Sequence, residues 1–317
     1  MTVRARAALL GSLTTGESVA EFAARWMTDF PRPAVSTCKT YEVTVSKFVR
    51  AYGARPLDSI TPVEAARWAR EHPNQVGVLK TFYADAMHGP AGACAATFNP
   101  FARVRAPRAK NRRGHVPPTQ SEVHELADIA LDVLPAVPGL MLRAALLLGF
   151  YTLCRPGELA ALDHDHVDLD RGRLRIEHTM SQWEGLRPPK GGYTREAPLP
   201  EPARRAYAEV LRHPRLPYVL WTATGQRVTA RSMYSWWRKV RDEWASRAPG
   251  RDQGLVYYVA TRHAGITHLT EVLGMNSDRV ALLAGHHDGG QLVRTLYAHR
   301  DTHQALRDAD QAWRASG

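Results

Sequence analysis

The sequence predicts a mainly α-helical protein of two domains with a small β-sheet in the second domain, and three observations lead to this prediction. Apolar residues recur at helical spacing over much of the chain, and several of these stretches begin with a capping box, in which Ser or Thr precedes Glu by three residues. A basic segment containing Asn-Pro and Pro-Pro, which break regular structure, divides the chain after its first third. Short strand-like segments, one of them preceded by a Gly-Gly turn, lie between residues 167 and 199.

Residues 15–98 form the first predicted domain, a compact set of four helices. Each helix has a start signal or an apolar stripe along one face. These are the Ser18–Glu21 capping box with Val19, Phe22, Ala23, Trp26 and Met27; Ser36 or Thr37 as the cap of a helix carrying Tyr41, Val45, Phe48, Val49 and Tyr52; Thr61 before Pro62 and Glu64 in a helix to about Arg70; and a helix from about Pro73 to Met87. We expect the aromatic residues of these stripes to form a core.

Residues 119–317 form the second predicted domain, which is mostly helical. Thr119 and Glu122 make a further capping box for a helix to about Val133, and the apolar stretch after it predicts a buried helix from about Pro138 to Tyr151. The other expected elements are the strands Val167–Leu169, Leu174–His178 and Glu196–Leu199 and the helices Glu201–Leu211, Ala230–Ala245, Ala264–Leu273, Asp278–Ala284 and Thr302–Ala315.

The positive charge of the chain is concentrated between the two domains. The formal net charge is +11, from 42 Lys and Arg against 31 Asp and Glu. Residues 1–98 account for +3 and residues 116–317 for +2, which leaves +6 and no acid in residues 99–115. The six basic side chains are Arg103, Arg105, Arg108, Lys110, Arg112 and Arg113. Taken alone, this segment is an extended basic linker, either a solvated tether or a strap that binds a polyanion.

Composition and motifs argue against several classes of protein. No stretch reaches the ~18 apolar residues that a membrane span needs, and three widely spaced cysteines fit neither a disulfide framework nor a CxxC metal site. We therefore expect a soluble cytoplasmic protein. GxxxxGK[ST], GxSxG and HExxH motifs are absent. The Asp and His residues of 163–170 suggest metal ligands, but neighbouring residues of a strand point to opposite faces, so we expect a solvated loop without a metal there.

Five polar residues of the second half stand in short motifs dispersed along the chain. These motifs are Arg155-Pro156-Gly157-Glu158-Leu159, Pro189-Lys190-Gly191-Gly192, Thr261-Arg262-His263, Gly285-His286 and Leu296-Tyr297-Ala298-His299. In this order they resemble the tyrosine recombinase, or phage integrase, family, which has an arginine in RxGEL, a lysine on a β-hairpin, an arginine in HxxRH, a histidine in LGH and a tyrosine in a YxH context. The four helices, the Asn99-Pro100-Phe101 junction and the basic linker also match, so the resemblance covers about residues 15–310.

The resemblance implies a fold, an activity and partners. Residues 15–98 would be the helical, SAM-like core-binding domain and 119–317 the catalytic domain with a small antiparallel sheet, joined by the linker 99–118 into a C-shaped clamp on double-stranded DNA. The enzyme would be a site-specific DNA recombinase that cuts and rejoins DNA through a covalent 3′-phosphotyrosine intermediate, without metal, ATP or another cofactor. Two protomers would bind a site and four would form the synapse, with the segment after Tyr297 docking on a neighbouring protomer.

The resemblance also implies roles for individual residues. Tyr297 would be the nucleophile, Arg155 and Arg262 would neutralise the phosphate, Lys190 would protonate the leaving oxygen, and His286 would accept a proton or hold the phosphate. The supporting residues would be Glu158 and His263. Besides the six basic side chains of the linker, we expect Arg195 either to contact the DNA backbone or to brace the hairpin. From their place on a helix face, Arg238 and Lys239 are also expected to contact DNA.

The sequence departs from the family pattern at one position and leaves alternatives open. Three residues before Arg262, where the family usually has histidine, this chain has Val259; Tyr258 can supply a polar group if the backbone shifts by one residue. Within the class, the nearest alternatives are a Xer-type resolvase of chromosome or plasmid dimers and a transposon-encoded recombinase. The alternatives outside it are a recombinase-derived DNA-binding protein without catalysis and a metal-dependent hydrolase centred on Asp163–Asp170.

Overall fold

The structure is a computed structural model of the 317-residue chain. It describes residues 16–32, 34–88, 94–106, 115–189, 191–210 and 216–286. The predicted C-terminal helix Thr302–Ala315 lies outside these residues.

The described residues form a mainly α-helical protein with two small antiparallel sheets, which confirms the predicted fold class. Labelled in chain order, the α-helices are α1 Val19–Asp29, α2 Val35–Tyr52, α3 Pro62–Glu71, α4 Val76–Met87, α5 Gln120–Val133, α6 Ala136–Thr152, α7 Pro156–Ala160, α8 Glu201–Val210, α9 Ala230–Ser246, α10 Ala264–Thr267 and α11 Ser277–Ala284. The strands are β1 Val167–Asp168, β2 Arg173–Ile176, β3 Thr179–Ser181, β4 Gly185–Arg187 and β5 Arg195–Pro198. The chain divides into two compact units, Met1–Arg112 and Arg113–Gly317.

An aromatic core holds the first unit together. Trp26 and Phe82 pack edge to face with ring centroids 5.0 Å apart, and Phe48 does the same with Phe101 at 5.8 Å. Phe101 is fully buried, and the Asn99 side chain accepts a hydrogen bond from its N–H at 2.9 Å. The first residues of the predicted 99–118 linker therefore form a turn that belongs to this unit.

Local sequence signals place two of the four described helix starts of the first unit. Ser18 and Thr61 form the predicted capping boxes with Glu21 and Glu64. Helix α2, however, begins at Val35 without a side-chain cap, and the prediction of Ser36 or Thr37 as its cap is wrong. Here the carbonyl of Ala34 accepts the N–H groups of Thr37 and Cys38, so the backbone alone starts the helix.

Helix α6 is the centre of the second unit. It is buried along most of its length, as predicted, and packs against α5, α8 and the helical segment that carries Arg262. Thr119 and Glu122 form the capping box expected at the start of α5. The burial of α6 fixes the position of its C-terminus, where the candidate site is built.

A three-stranded sheet and a separate hairpin lie between α7 and α8. The sheet has the order β1-β2-β5, with Val167 opposite Leu174 and Leu174 opposite Ala197. The hairpin β3–β4 was not expected from the sequence, which lacks a clear alternating pattern there. Ser181 closes its turn by accepting the N–H groups of Trp183 and Glu184, and Gly185 follows with a positive φ of 70°.

Two π-helical segments flank the short helix α10. They span Val259–His263 and His268–Val272. The helical structure therefore starts before Ala264, where the sequence predicted it to begin. Thr261 donates its hydroxyl hydrogen to the carbonyl of Tyr257 at 2.9 Å, so polar side chains take part in this widened helix.

None of the helices in the described part of the chain combines the length and apolarity needed to cross a lipid bilayer.

Close packing of α10 on α6 depends on Gly265, and this gives a testable prediction. A Cβ atom at Gly265 would overlap the carbonyl oxygen of Phe150 and crowd Leu153. We expect Gly265→Ala to lower the free energy of unfolding by about 1–3 kcal/mol through overpacking. Gly77→Ala is the control, since a Cβ there meets open space inside helix α4. Thermal unfolding of both variants tests this; equal melting temperatures would contradict it.

Candidate active site

Arg155 and Glu158 form the first half of the site at the start of α7. Arg155 is the N-cap residue, and its backbone N–H donates to the Glu158 carboxylate at 2.8 Å. The Arg155 guanidinium donates to the other carboxylate oxygen at 2.7 Å. Glu158 is 1% exposed and Arg155 28% exposed, so the carboxylate lies inside the protein and the guanidinium at its edge.

Arg195, the first residue of β5, braces this half of the site. Its Nη2 donates to Glu158 at 2.9 Å and to the carbonyl of Leu153 at 3.3 Å, while its Nε donates to the carbonyl of Leu283 at 2.9 Å. Its side chain is 10% exposed. The structure thus places Arg195 among internal contacts rather than on an open surface.

The two arginines keep Glu158 ionised. Burial by itself raises the pKa of this carboxyl group, but the charge and hydrogen bonds of Arg195 and Arg155 outweigh it, so its pKa lies below the ordinary value of 4.5. Glu158 is therefore a fixed negative charge that orients both guanidinium groups.

Arg262 forms the second half of the site from the π-helical segment. Its side chain is fully buried, and Nη1 donates to the carbonyl of Leu153 at 2.6 Å. Its Nη2 lies 2.5 Å from the carbonyl of Ala284 and 2.8 Å from Nε2 of His286. The buried Nε has no hydrogen-bond partner among the described residues. Burial lowers the pKa of Arg262, and the nearby Tyr258 partly offsets this.

The carbonyl of Leu153 is a shared acceptor at the end of α6. Leu153 is the C-cap of this helix and adopts a left-handed conformation with φ 55°, which is unusual for a bulky residue. In that conformation its carbonyl accepts hydrogen bonds from both Arg195 and Arg262. No sequence signal marks this residue, because its side chain is apolar and its contribution comes from the backbone.

A Schellman motif at the end of α11 positions His286. Gly285 has φ 67°, its N–H donates to the carbonyl of Leu282, and the N–H of His286 donates to the carbonyl of Ala281 at 2.9 Å. The carbonyl of Gly285 accepts Nη2 of Arg155 at 3.3 Å. An arginine N–H can only donate, so Nε2 of His286 accepts from Arg262, and the neutral ring carries its proton on Nδ1.

Four polar side chains that are far apart in sequence are therefore brought together. Arg155, Arg195, Arg262 and His286 meet around two helix ends and one buried carboxylate. Three of them were predicted as catalytic residues.

His263 lies beside this cluster and is neutral at physiological pH. Burial and the charge of Arg262 lower its pKa to about 4. Its ring packs edge to face on Tyr258 with centroids 4.6 Å apart. This contact joins residues five apart, as expected where a π-helical turn replaces an α-helical one.

The Val259 departure lies at the start of the π-helical segment. Val259 is 8% exposed and belongs to the apolar core of the second unit. Tyr258 is half-buried, contacts His263 and influences Arg262 electrostatically. The polar group near Arg262 on this side is therefore Tyr258 and not the residue at the motif position.

Two of the predicted catalytic residues, Lys190 and Tyr297, lie outside the described residues. Among the neighbouring described residues, the N–H of Gly192 donates to the carbonyl of Pro189 at 2.8 Å. Gly191 and Gly192 both have positive φ, which explains the Gly-Gly pair.

Apart from Arg195, whose side chain is engaged in internal contacts, the predicted DNA contacts are either exposed or outside the described residues. Arg103 and Arg105 are exposed on the first unit, and Arg238 and Lys239 are exposed on α9. Those outside the described residues are Arg108, Lys110, Arg112 and Arg113.

The hydrogen bonds of the 163–170 segment disfavour metal binding. His166, Glu177 and His178 bring possible ligand atoms within 4.8 Å of one another. Nδ1 of His166, however, accepts the N–H of Asp163 at 3.0 Å. A neutral ring then carries its proton on Nε2, the nitrogen that faces Glu177 at 3.5 Å, so that nitrogen has no lone pair for a cation.

Sequence comparison identifies the class to which this fold and cluster belong. The model of the phage integrase family matches residues 118–304, more than half of the chain. The chain therefore belongs to the phage integrase family and is a tyrosine-type site-specific DNA recombinase, which confirms the resemblance found in its motifs. No curated protein sequence matches the chain significantly.

Solved structures with the same fold include two integrases. The integrase of transposon Tn1549 in complex with a circular intermediate DNA has a TM-score of 0.79 at 17% identity, over 93% of this chain and 99% of that chain. A lambda integrase dimer on a COC′ core site gives 0.67 at 15% identity, over 86% and 96% of the two chains. A lambda integrase tetramer on a Holliday junction gives 0.69 at 14% identity, over 92% and 83%.

The buried charge of Glu158 predicts a pH-dependent effect on stability. Glu158→Gln leaves two guanidinium groups without their counter-charge, and we expect it to lower the free energy of unfolding by about 3 kcal/mol at neutral pH. Because pairing lowers the folded-state pKa below 4.5, this contribution is present above that pH and is lost as the pH falls through the folded pKa. Denaturant unfolding across this range measures the difference between variant and wild type.

The control for this experiment is Glu201→Gln. Glu201 is 61% exposed and pairs with Arg205 on the surface of α8, so its loss should change stability little at any pH. A Glu158→Gln effect of the same size at acidic and neutral pH would contradict the assigned charge state.

Proposed function

We propose that this protein exchanges DNA strands at specific sites through a covalent 3′-phosphotyrosine intermediate, with Tyr297 as the nucleophile. The observation that carries the proposal is the convergence of Arg155, Arg262 and His286 from three distant segments. A phosphodiester carries a negative charge that grows as a nucleophile attacks, and preorganised cationic donors stabilise it.

Arg155 and Arg262 are suited to hold this phosphate. A guanidinium has five N–H donors and remains charged, so it can bind phosphate oxygens while keeping its internal partners. The contacts described above use three donors of Arg262 and two of Arg155. The remaining N–H groups of the two guanidinium groups are the ones that we expect to donate to phosphate oxygens. Glu158 and Arg195 act through position, because they fix the direction of the Arg155 guanidinium.

His286 is proposed to hold the phosphate rather than to accept the tyrosine proton. Its Nε2 is occupied by Arg262, and its neutral ring carries a proton on Nδ1. A ring in this tautomer donates a hydrogen bond to an anionic oxygen. His263 has no charge above about pH 4 and supports the site by packing on Tyr258.

The covalent steps follow from the resemblance in the motifs. The oxygen of Tyr297 attacks phosphorus, the bond from phosphorus to the 5′-oxygen breaks, and Lys190 donates a proton to that oxygen. In the reverse step a 5′-hydroxyl attacks the phosphotyrosine and releases Tyr297. Each step exchanges one phosphoester for another, so ATP is not needed, and the arginines take the place of a metal as the counter-charge.

The proposed partner is double-stranded DNA, bound by two protomers at a site and four in the synapse. The lambda integrase structures, a dimer on a core site and a tetramer on a Holliday junction, support this arrangement by analogy. Residues 15–98 would be the core-binding domain and 119–317 the catalytic domain, with the basic linker 99–118 contacting the DNA backbone. Both a phage-type and a transposon-type recombinase remain consistent with the fold.

The identity of the nucleophile is tested with a half-site DNA that carries a nick. After cleavage of this DNA, the short strand with the free 5′-hydroxyl dissociates. The wild-type protein should form a covalent adduct that denaturing electrophoresis resolves. Tyr297→Phe should bind the same DNA and form no adduct, because it lacks the attacking oxygen. Tyr41→Phe is the control, since this tyrosine stacks on Trp26 in the aromatic core of the first unit. An adduct with Tyr297→Phe would show that another residue attacks.

The metal-independent chemistry is tested by chelation. If guanidinium groups balance the phosphate charge, adduct formation should proceed at the same rate in excess EDTA as in its absence. Loss of cleavage that is restored by added Mg²⁺ would instead favour the metal-dependent alternative.

A further inference from the structure

Tyr258 lies beside the candidate site, and none of the proposed chemical steps uses it. It is the N-cap residue of the π-helical segment Val259–His263 and precedes Arg262 by four residues. Residues four or five apart in such a segment lie on the same face, and the ring of Tyr258 packs edge to face on His263 with centroids 4.6 Å apart. The segment therefore brings Tyr258, Arg262 and His263 to one side.

The hydroxyl group of Tyr258 is a donor without a hydrogen-bond partner in the part of the chain that the structure describes. The neighbouring hydroxyl groups are engaged, because Tyr257 donates to the carbonyl of Ala145 at 3.0 Å and Thr261 donates to the carbonyl of Tyr257 at 2.9 Å. The contact of Tyr258 with His263 involves the ring and leaves the hydroxyl group unused. Its hydrogen is therefore available to a ligand.

Tyr258 can be reached from the surface, whereas Arg262 cannot. The side chain of Arg262 is fully buried. Tyr258 is half-buried and lines an open cleft of about 760 Å³ between helix α9 and the segment 255–258. A ligand that approaches Arg262 from this cleft therefore meets the hydroxyl group of Tyr258 first.

The backbone that carries Tyr258 is anchored on both sides. Before it, the carbonyl of Leu255 accepts the indole N–H of Trp237 at 3.0 Å. After it, the guanidinium of Arg262 donates to the carbonyl of Leu153 at 2.6 Å. The position of Tyr258 is thus set before a ligand binds, which is the condition under which a hydrogen-bond donor contributes most to catalysis.

Charge effects indicate that the hydroxyl group lies close to the Arg262 guanidinium. Burial lowers the pKa of Arg262, and Tyr258 counters this effect more strongly than Glu158 does. Burial and the Tyr258 hydroxyl group also raise the pKa of Tyr234 on α9. The hydroxyl group therefore lies between α9 and Arg262, on the open side of the buried cation.

We propose that the Tyr258 hydroxyl group donates a hydrogen bond to a non-bridging oxygen of the phosphate that Arg155 and Arg262 hold, and that Tyr258 is a further catalytic residue. The inference rests on the proposed function for the identity of the phosphodiester. Val259 belongs to the apolar core and has no polar side-chain atom for this task. A donor aimed at an oxygen on which negative charge grows stabilises the transition state more than the bound substrate.

A phenol suits this position because it donates a hydrogen bond without adding charge. The cluster, among the described residues, already holds three guanidinium groups against one carboxylate. A further cation here is disfavoured, as His263 shows: burial and the charge of Arg262 lower its pKa to about 4. The hydroxyl group of Tyr258 binds an anionic oxygen and leaves the charge of the cluster unchanged.

The experiment compares Tyr258→Phe with the wild-type protein on the nicked half-site DNA. Phenylalanine keeps the ring that packs on His263 and lacks only the hydroxyl group. We expect the rate of adduct formation at saturating DNA to fall about 100-fold, the loss typical of one donor to a developing oxyanion, with unchanged affinity for the DNA. Tyr234→Phe is the matched control, because it removes a hydroxyl group from the α9 side of the same cleft and should keep the wild-type rate.

Inorganic phosphate serves as a second probe that does not depend on the covalent step. A ligand that binds the folded protein raises its melting temperature. At equal ionic strength, phosphate should raise the melting temperature of Tyr258→Phe less than that of the wild-type protein and Tyr234→Phe. Melting temperatures without phosphate check that both variants fold like the wild type.

The outcomes separate this inference from the proposed function. Adduct formation by Tyr258→Phe at the wild-type rate would overturn the role of Tyr258 and leave the phosphotyrosine proposal standing. Where the wild-type protein forms no adduct, the phosphotyrosine proposal fails and the phosphate probe decides on Tyr258. The smallest stabilisation for Tyr258→Phe then supports its contact with phosphate, and equal stabilisation of the three proteins contradicts it.

Discussion

The candidate site depends on burying arginine charge against the carboxyl ends of two helices. The last carbonyls of a helix have no partner within it and carry a partial negative charge. At the end of α11 the Schellman motif uses the N–H groups of Gly285 and His286 but leaves the carbonyls of residues 283–285 open. Arg195, Arg262 and Arg155 each take one of these three carbonyls, and the carbonyl of Leu153 at the end of α6 takes two further bonds. The carbonyl groups that lack a partner within their helices thus accept hydrogen bonds from the arginine side chains.

One carboxylate completes this arrangement. Glu158 is the buried anion that pairs with Arg155 and Arg195, while Arg262 has carbonyls and a neutral imidazole around it. Among the described residues, three guanidinium groups and one carboxylate leave an excess of positive charge in the cluster. An excess of this kind would be costly in an apolar interior without a counter-ion, and a bound phosphodiester reduces it. The charge balance of the protein alone therefore favours the anionic ligand that the proposed chemistry requires.

Local rules predicted the parts of this fold that local interactions decide. The capping boxes at Ser18, Thr61 and Thr119 are set by residues within four positions, and the structure has all three. The convergence of Arg155, Arg262 and His286 was available from motif order through the family resemblance. The partners of Arg195 were not, because they include carbonyls of residues 153 and 283 that tertiary packing brings near. The hairpin β3–β4 was missed for the same reason, since it has no strong sequence pattern of its own and is defined by what packs beside it.

Support from main-chain carbonyls has an evolutionary consequence. An acceptor supplied by the peptide backbone is present whatever side chain the residue carries, provided the helix still ends at the same place. Substitutions at positions 153, 283 and 284 can therefore change local packing while the arginines keep the same partners, whereas position 285 must retain its left-handed backbone. The sequence around such a site can therefore vary widely while a few polar residues stay fixed. The positions at which its helices end are then a better record of its evolutionary origin than the amino-acid sequence of those helices.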